Sequence, residues 1–200
     1  MIMDRFLIIF IFLAAAASHP AAVHFLRKGR EVSADRAEKF NSMIEEYGRN
    51  QIIQQMDTYI QHGETTTLEH CRNVAWMSYI INRNLRLNSD EESLVRGAMM
   101  HDMFLYDWHD GKPERKRHGF DHPGIACRNA VEYFGISEKE QNIITSHMWP
   151  LNIRYLPRCR EAAIVCFADK YCAVLETLKI SGNFAFRTVK VCRSTGEAGI

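Results

Sequence analysis

The chain has 200 residues, 46% hydrophobic and 24% charged, which suits one globular domain with a sizeable core. Lys and Arg number 25 against 24 Asp and Glu, a formal net charge of +1, so nothing in the balance argues for nucleic-acid binding. The six Cys, at positions 71, 127, 159, 166, 172 and 192, form no CxxC, which excludes a zinc ribbon or a thioredoxin-like motif.

Phe6 to Ala17 is a charge-free apolar run, too short alone to span a bilayer and of the length of a signal-peptide h-region. Continued to Leu26 it approaches the ~20 residues a span needs, with His19, Pro20 and His24 inside it and Arg27, Lys28 and Arg30 directly after. The positive-inside rule would keep the remainder cytoplasmic. Residues 1–26 are therefore expected to form an apolar N-terminal segment, with 6–26 tethering a cytoplasmic catalytic domain to a membrane; a cleaved signal and a buried helix are the alternatives.

Residues 27–62 read as accessory helices. Phe40, Met43, Ile44 and Tyr47 recur at helical spacing, and so do Ile52, Ile53, Met56 and Ile60. Gly63 breaks the pattern. Thr66 and Glu69 then form a capping box that opens a helix to about Leu85. Asn88 and Ser89 start the next helix, with Ser89 and Glu92 as its box, and Leu94, Val95, Ala98 and Met99 lead into His101-Asp102. A loop rich in Gly, Pro and charge covers about Asp107 to Asp121. Pro123 suits a helix start, and Gly135 closes that helix. Ser137 and Glu140 cap a helix carrying Ile143, Ile144 and His147, which Trp149-Pro150 ends. Glu161 to about Leu178 is the last helix. Cys71, Cys166 and Cys172 lie within these patterns and read as buried, reduced thiols, which favours a reducing compartment. Period-two alternation is confined to Ala185 to Val191. The fold class is all-α, five or more helices with short connections, in a domain spanning 63–180 with a C-terminal tail at 181–200.

Four of these helices present a His or Asp on the apolar face: His70, the pair His101-Asp102, His147 and Asp169. Burying imidazole or carboxylate costs several kcal/mol unless it is paired or ligated. Together these groups are a ligand set for divalent metals.

The order His70 … His101-Asp102 … Asp169 resembles the HD-domain superfamily of metal-dependent phosphohydrolases. Met99-Met100 matches the usual apolar run before the HD pair, and Ala168-Asp169-Lys170 the usual ADK. The resemblance covers about His70 to Thr177 and implies an HD-type helical bundle with N-terminal accessory helices. It implies that His70, His101, Asp102 and Asp169 ligate a first metal. His122-Pro-Gly-Ile-Ala and His147 resemble the further histidines of the two-metal subset, which adds His122 and His147 as ligands and lets Asp102 bridge to a second ion. Fe, Mn, Ni, Zn or Mg would serve, about 3.5–4 Å apart, activating a water for phosphoryl displacement.

One departure stands out: Leu105 occupies the position where many two-metal members carry a Lys. The Gly-Tyr-Pro signature of the cyclic-dinucleotide branch is also missing. Asp102, His118 and Lys170 are the catalytic candidates. His118, one turn before His122, could instead replace it as ligand or bind phosphate, and a salt bridge is the alternative for Lys170. Lys112, Arg115 and Arg117, within a basic loop, are candidates for binding a small phosphorylated substrate such as a phosphomonoester or nucleotide; a solvated loop is the alternative. Tyr106, Asp107 and Trp108 are candidates to line the pocket. A di-iron oxygenase with the same ligands and a non-catalytic nucleotide sensor are the competing functions.

Overall fold

A computed structural model of the chain describes residues 34–178. Seven α-helices lie among the described residues: α1 (Ala34–Arg49), α2 (Gln51–Gln55), α3 (Thr67–Leu85), α4 (Glu91–Met100), α5 (His118–Phe134), α6 (Glu138–Ser146) and α7 (Arg160–Thr177). The fold is all-α, as the sequence predicts. Residues 1–33 and 179–200 fall outside the described residues, and with them the apolar segment, the tail, the Ala185–Val191 alternation and Cys192. No helix among the described residues is long and apolar enough to cross a membrane.

The predicted capping boxes at α3 and α6 form. Thr66 Oγ1 accepts from the Glu69 N–H, and the Glu69 carboxylate accepts from the Thr66 N–H. Ser137 and Glu140 do the same for α6. Each box satisfies two of the four donors that a helix start leaves bare. Gly135, at φ 56°, closes α5 in the left-handed conformation that costs glycine least.

Three boundaries differ from the sequence reading. The cap of α4 is Asp90, whose side chain accepts from the Ser93 N–H and hydroxyl; the Ser89 N–H is taken by Asn82, which pulls Ser89 out of the capping position. Helix α5 starts at His118, continuing from a 3-10 turn at Pro113–Arg117, so Pro123 lies inside it. The missing N–H of Pro123 leaves one carbonyl in that first part of the helix without its usual partner. Ile60 belongs to no helix. It opens strand β1 (Ile60–His62), which pairs antiparallel with β2 (Thr65–Thr66) across Gly63 at φ 60°.

Helix α3 packs on α4 and α7, α4 on α6, and α6 on α5 and α7. The core between them is built of side chains such as Leu68, Val74, Leu94, Met99, Ile143, Ile144 and Val165, all almost completely buried. Each contributes about 1.5–3 kcal/mol relative to exposure. Helix α1 joins through Phe40, edge-on to Trp76 with centroids 4.9 Å apart. Gly97 lets α4 approach α6, since a Cβ there would meet Ile143 carbons at 2.8 Å. Cys71, Cys166 and Cys172 are buried and unbridged, as expected. The inner ends of these packed helices carry the polar groups.

Candidate metal centre

Five helical elements bring six ligand-type side chains together. His70 sits in the first turns of α3, His101 caps the C-terminus of α4 with Asp102 next to it, His122 lies in α5, His147 caps the C-terminus of α6, and Asp169 lies in α7. All six are buried, none more than 6% exposed. Three overlapping groups have ligand atoms within 4.8 Å of one another: His70, His101 and Asp102; His101, His147 and Asp169; and Asp102, His122 and His147.

Each histidine is oriented through Nδ1. His101 Nδ1 donates to the Ala98 carbonyl and His147 Nδ1 to the Ile144 carbonyl, both at 2.7 Å. These carbonyls are ones that a helix C-terminus leaves without an amide partner, so the two capping positions orient the rings with groups the fold already offers. His122 Nδ1 donates to the His118 carbonyl at 2.7 Å. His70 Nδ1 is bonded to Glu176 at 2.7 Å. In each ring the Nε2 is left to face the cluster, the arrangement metal-ligating histidines use.

Asp102 divides its two oxygens between two sets of partners. Oδ1 lies 3.2 Å from His122 Nε2 and 3.4 Å from His147 Nε2. Oδ2 lies 3.5 Å from His101 Nε2 and 3.9 Å from His70 Nε2, and accepts from the Gln61 amide. Asp169 Oδ1 lies 3.1 Å from His70 Nε2 and 3.7 Å from His101 Nε2. Buried His101 Nε2 and Asp102 Oδ1 have no hydrogen-bond partner. Buried polar atoms without partners are costly, and a divalent cation on N and O donors would satisfy both atoms. The residues present therefore fit a metal.

The electrostatics point the same way. Burial works to raise the Asp102 pKa, yet His101, His122 and His147 hold it well below the carboxylate range. Burial likewise opposes ionisation of Asp169, and His101 and His70 outweigh it. Burial disfavours charge on His70, but Glu176 and Asp169 raise its pKa well above the usual value. His147 is pushed down to about 3 by burial, with His122 and His101 adding to it against Asp102. The carboxylates make this interior a well of negative potential that favours cations.

The remaining candidates lie around this cluster. His118 does not take the place of His122. It stacks on the His122 ring at 4.5 Å and on Trp108 at 4.9 Å, and its Nδ1 meets the Tyr106 hydroxyl at 2.9 Å. Burial, helped by His122, pushes its pKa down to about 3. The Arg115 guanidinium lies 3.7 Å above the Tyr106 ring, so an aromatic and cationic layer leads from the loop to the metal-facing histidine. Lys112 and Arg117 are exposed and turn to Asp110 at 3.0 Å and Asp121 at 3.7 Å. Asp107 is exposed, and its carboxylate accepts from the His109 N–H. The Lys170 ammonium donates to the His147 and Cys166 carbonyls, which ties α7 to the end of α6, and lies 3.7 Å from Asp169. Leu105 adopts φ 59°, a strained setting for a branched residue.

Three contributors escape the sequence pattern. Glu176 orients His70, and its spacing of seven from Asp169 puts it on the same helical face, a signal that was available. Gln61 and His62 come from the β1 strand. Gln61 reaches Asp102, and His62 stands edge-on to His70 at 5.1 Å, its pKa lowered to about 4 by burial and by His70.

No curated protein and no solved structure is similar enough to the chain to count as a match. The family model described as HD domain matches residues 67–174, a span that runs from the start of α3 almost to the end of α7 and contains all six buried ligand-type residues. HD domains bind divalent metals and are typically metal-dependent phosphohydrolases. With its match over more than half of the sequence and its buried His/Asp cluster on the matched helices, the chain belongs to the HD-domain family.

Proposed function

We propose that this protein hydrolyses a small phosphomonoester or nucleotide at a two-metal centre held by His70, His101, Asp102, His122, His147 and Asp169. The observation that carries the reading is the split engagement of Asp102. One oxygen faces His122 and His147, and the other faces His101 and His70, so one carboxylate can serve two ions. Bound divalent cations there would supply Lewis acidity and a water of lowered pKa.

The protein's own groups do the rest. The Nδ1 bonds of the four histidines hold their Nε2 atoms toward the centre. Gln61 fixes the plane of the Asp102 carboxylate. Arg115, over Tyr106, provides a cation next to the layer that ends on His122, and with Lys112 and Arg117 it neutralises the substrate phosphate. His118, held between Trp108 and His122, would meet a substrate that enters from that loop.

Purified protein supplied with Mn²⁺, Fe²⁺ or Ni²⁺ is expected to release phosphate from aryl phosphates or members of a nucleotide panel. His101→Ala and Asp102→Ala are expected to abolish that release. Full activity in both variants would overturn the reading.

A further inference from the structure

The segment between α6 and α7 carries an exposure that the metal centre does not explain. Of the ten exposed large hydrophobic side chains among the described residues, four fall within Trp149 to Leu156: Trp149, Ile153, Tyr155 and Leu156, with Ile153 74% exposed. Isolated apolar residues at a surface are ordinary, but a cluster marks an interaction site. The loop is also anchored. The Cys166 thiol donates to the Trp149 carbonyl at 3.1 Å, the Asn152 amide to the Phe120 carbonyl at 3.2 Å, and the Arg158 N–H to Asn142 at 2.8 Å. Its base is held on three helices while its apolar side chains face outward.

The charge on this segment has one sign. From Gln141 to Arg160 the chain has no Asp or Glu and three arginines, Arg154, Arg158 and Arg160. The Arg160 guanidinium donates to the Leu87 carbonyl at 2.8 Å, whereas Arg154 and Arg158 are exposed and form no ion pair among the described residues. The loop flanks the start of α5, since a Cβ on Gly119 would lie 3.6 Å from Leu151. Lys116 and Arg117 are exposed just ahead of that start, and Asp121, the acidic residue there, is matched by Arg117 at 3.7 Å.

We propose that this loop docks the protein on an anionic lipid bilayer. The rings of Trp149 and Tyr155 suit the headgroup level. Ile153 and Leu156 would enter the acyl boundary, and Arg154 and Arg158 would meet lipid phosphates and carboxylates. An apolar tip that carries exposed arginines and no acidic side chain of its own is the pattern that complements such a surface.

Cosedimentation of the full chain with vesicles of phosphatidylcholine, alone or mixed with phosphatidylserine, tests this. Binding is expected to the mixed vesicles and to weaken with added salt. Arg154→Gln with Arg158→Gln should weaken it on the order of thirtyfold, and Ile153→Ser with Leu156→Ser should weaken it at least tenfold, both with an unchanged melting temperature. As a second measurement, mixed vesicles should shift the tryptophan emission of the wild type to the blue, and Trp149→Phe should lack the shift. Equal vesicle binding by wild type and both double variants would overturn the proposal by assigning attachment to another part of the chain. Absence of binding in the wild type, or loop variants that alter only self-association, would also overturn it.

Discussion

The Nε2 atoms of His122 and His147 face each other at 2.8 Å while both Nδ1 atoms donate to backbone carbonyls. A carbonyl only accepts, so both Nδ1 atoms carry a proton, and wherever both rings hold no second proton their Nε2 lone pairs point into the same gap. Two lone pairs held this close repel unless a cation lies with them. The partnerless Oδ1 of Asp102 borders the same gap.

If the proposed centre holds two ions, His122→Ala and His147→Ala should each remove one of them and leave the one beside His70, His101 and Asp169. Metal analysis of anaerobically purified variants should show the bound ion per chain falling by half. The loss of all metal in both variants would contradict independent halves.

Glu176→Gln tests the orientation of His70. The carboxylate accepts from His70 Nδ1 and also from the Asn73 amide, and removing such a partner typically lowers metal affinity about 10–100-fold. Titration against a competing chelator should show that loss with unchanged helical content by circular dichroism. An affinity within about twofold of wild type would place Glu176 outside the site's function.

Most of the cluster was legible in the sequence because the helices that carry it announce themselves. The boxes at Thr66 and Ser137 set the starts of α3 and α6, and apolar periodicity carries each helix to His70, His101, His147 or Asp169. The order of those residues, with His122 between, resembles one family. Gln61 and His62 were hidden because β1 has only three residues, and the helical spacing of Ile52, Ile53, Met56 and Ile60 imitates a helix. A strand this short is specified by its partner and its turn rather than by its own pattern. The start of α5 was misplaced because Pro123 favours a first turn, whereas here a 3-10 turn upstream already sets the helix direction. Whether His118 or His122 faces the cluster could not be read from spacing alone, since one turn separates them; the His118 carbonyl decides it by fixing His122 Nδ1.

The cap of α4 gives a stability test. Asp90→Ala should cost about 1 kcal/mol in urea unfolding, while Ser89→Ala should stay within about 0.5 kcal/mol, because the Ser89 hydroxyl makes no hydrogen bond. The Lys139 bond, with help from Ser93, lowers the Asp90 pKa below its unfolded value. Its stabilisation is thus present at neutral pH and is lost as pH falls through the folded-state pKa. The gap between wild type and Asp90→Ala should narrow in acid. A larger cost for Ser89→Ala would restore Ser89 as the cap.

Gly97→Ala tests the approach of α4 to α6. The helix gains up to about 1 kcal/mol in propensity, but a Cβ at 2.8 Å from Ile143 carbons calls for repacking that costs about 1–3 kcal/mol. Net destabilisation is expected, partly recovered by adding Ile143→Val. A stabilised Gly97→Ala would show that the two helices have room to spare.

The central claim is that Asp102 joins two metal ions, and metal content per chain measures it most directly. Protein purified without oxygen or chelator should hold two divalent ions per chain. Asp102→Ala should hold no more than a residual amount, with its helical content retained. One ion or none in the wild type, or two ions in Asp102→Ala, would contradict the account.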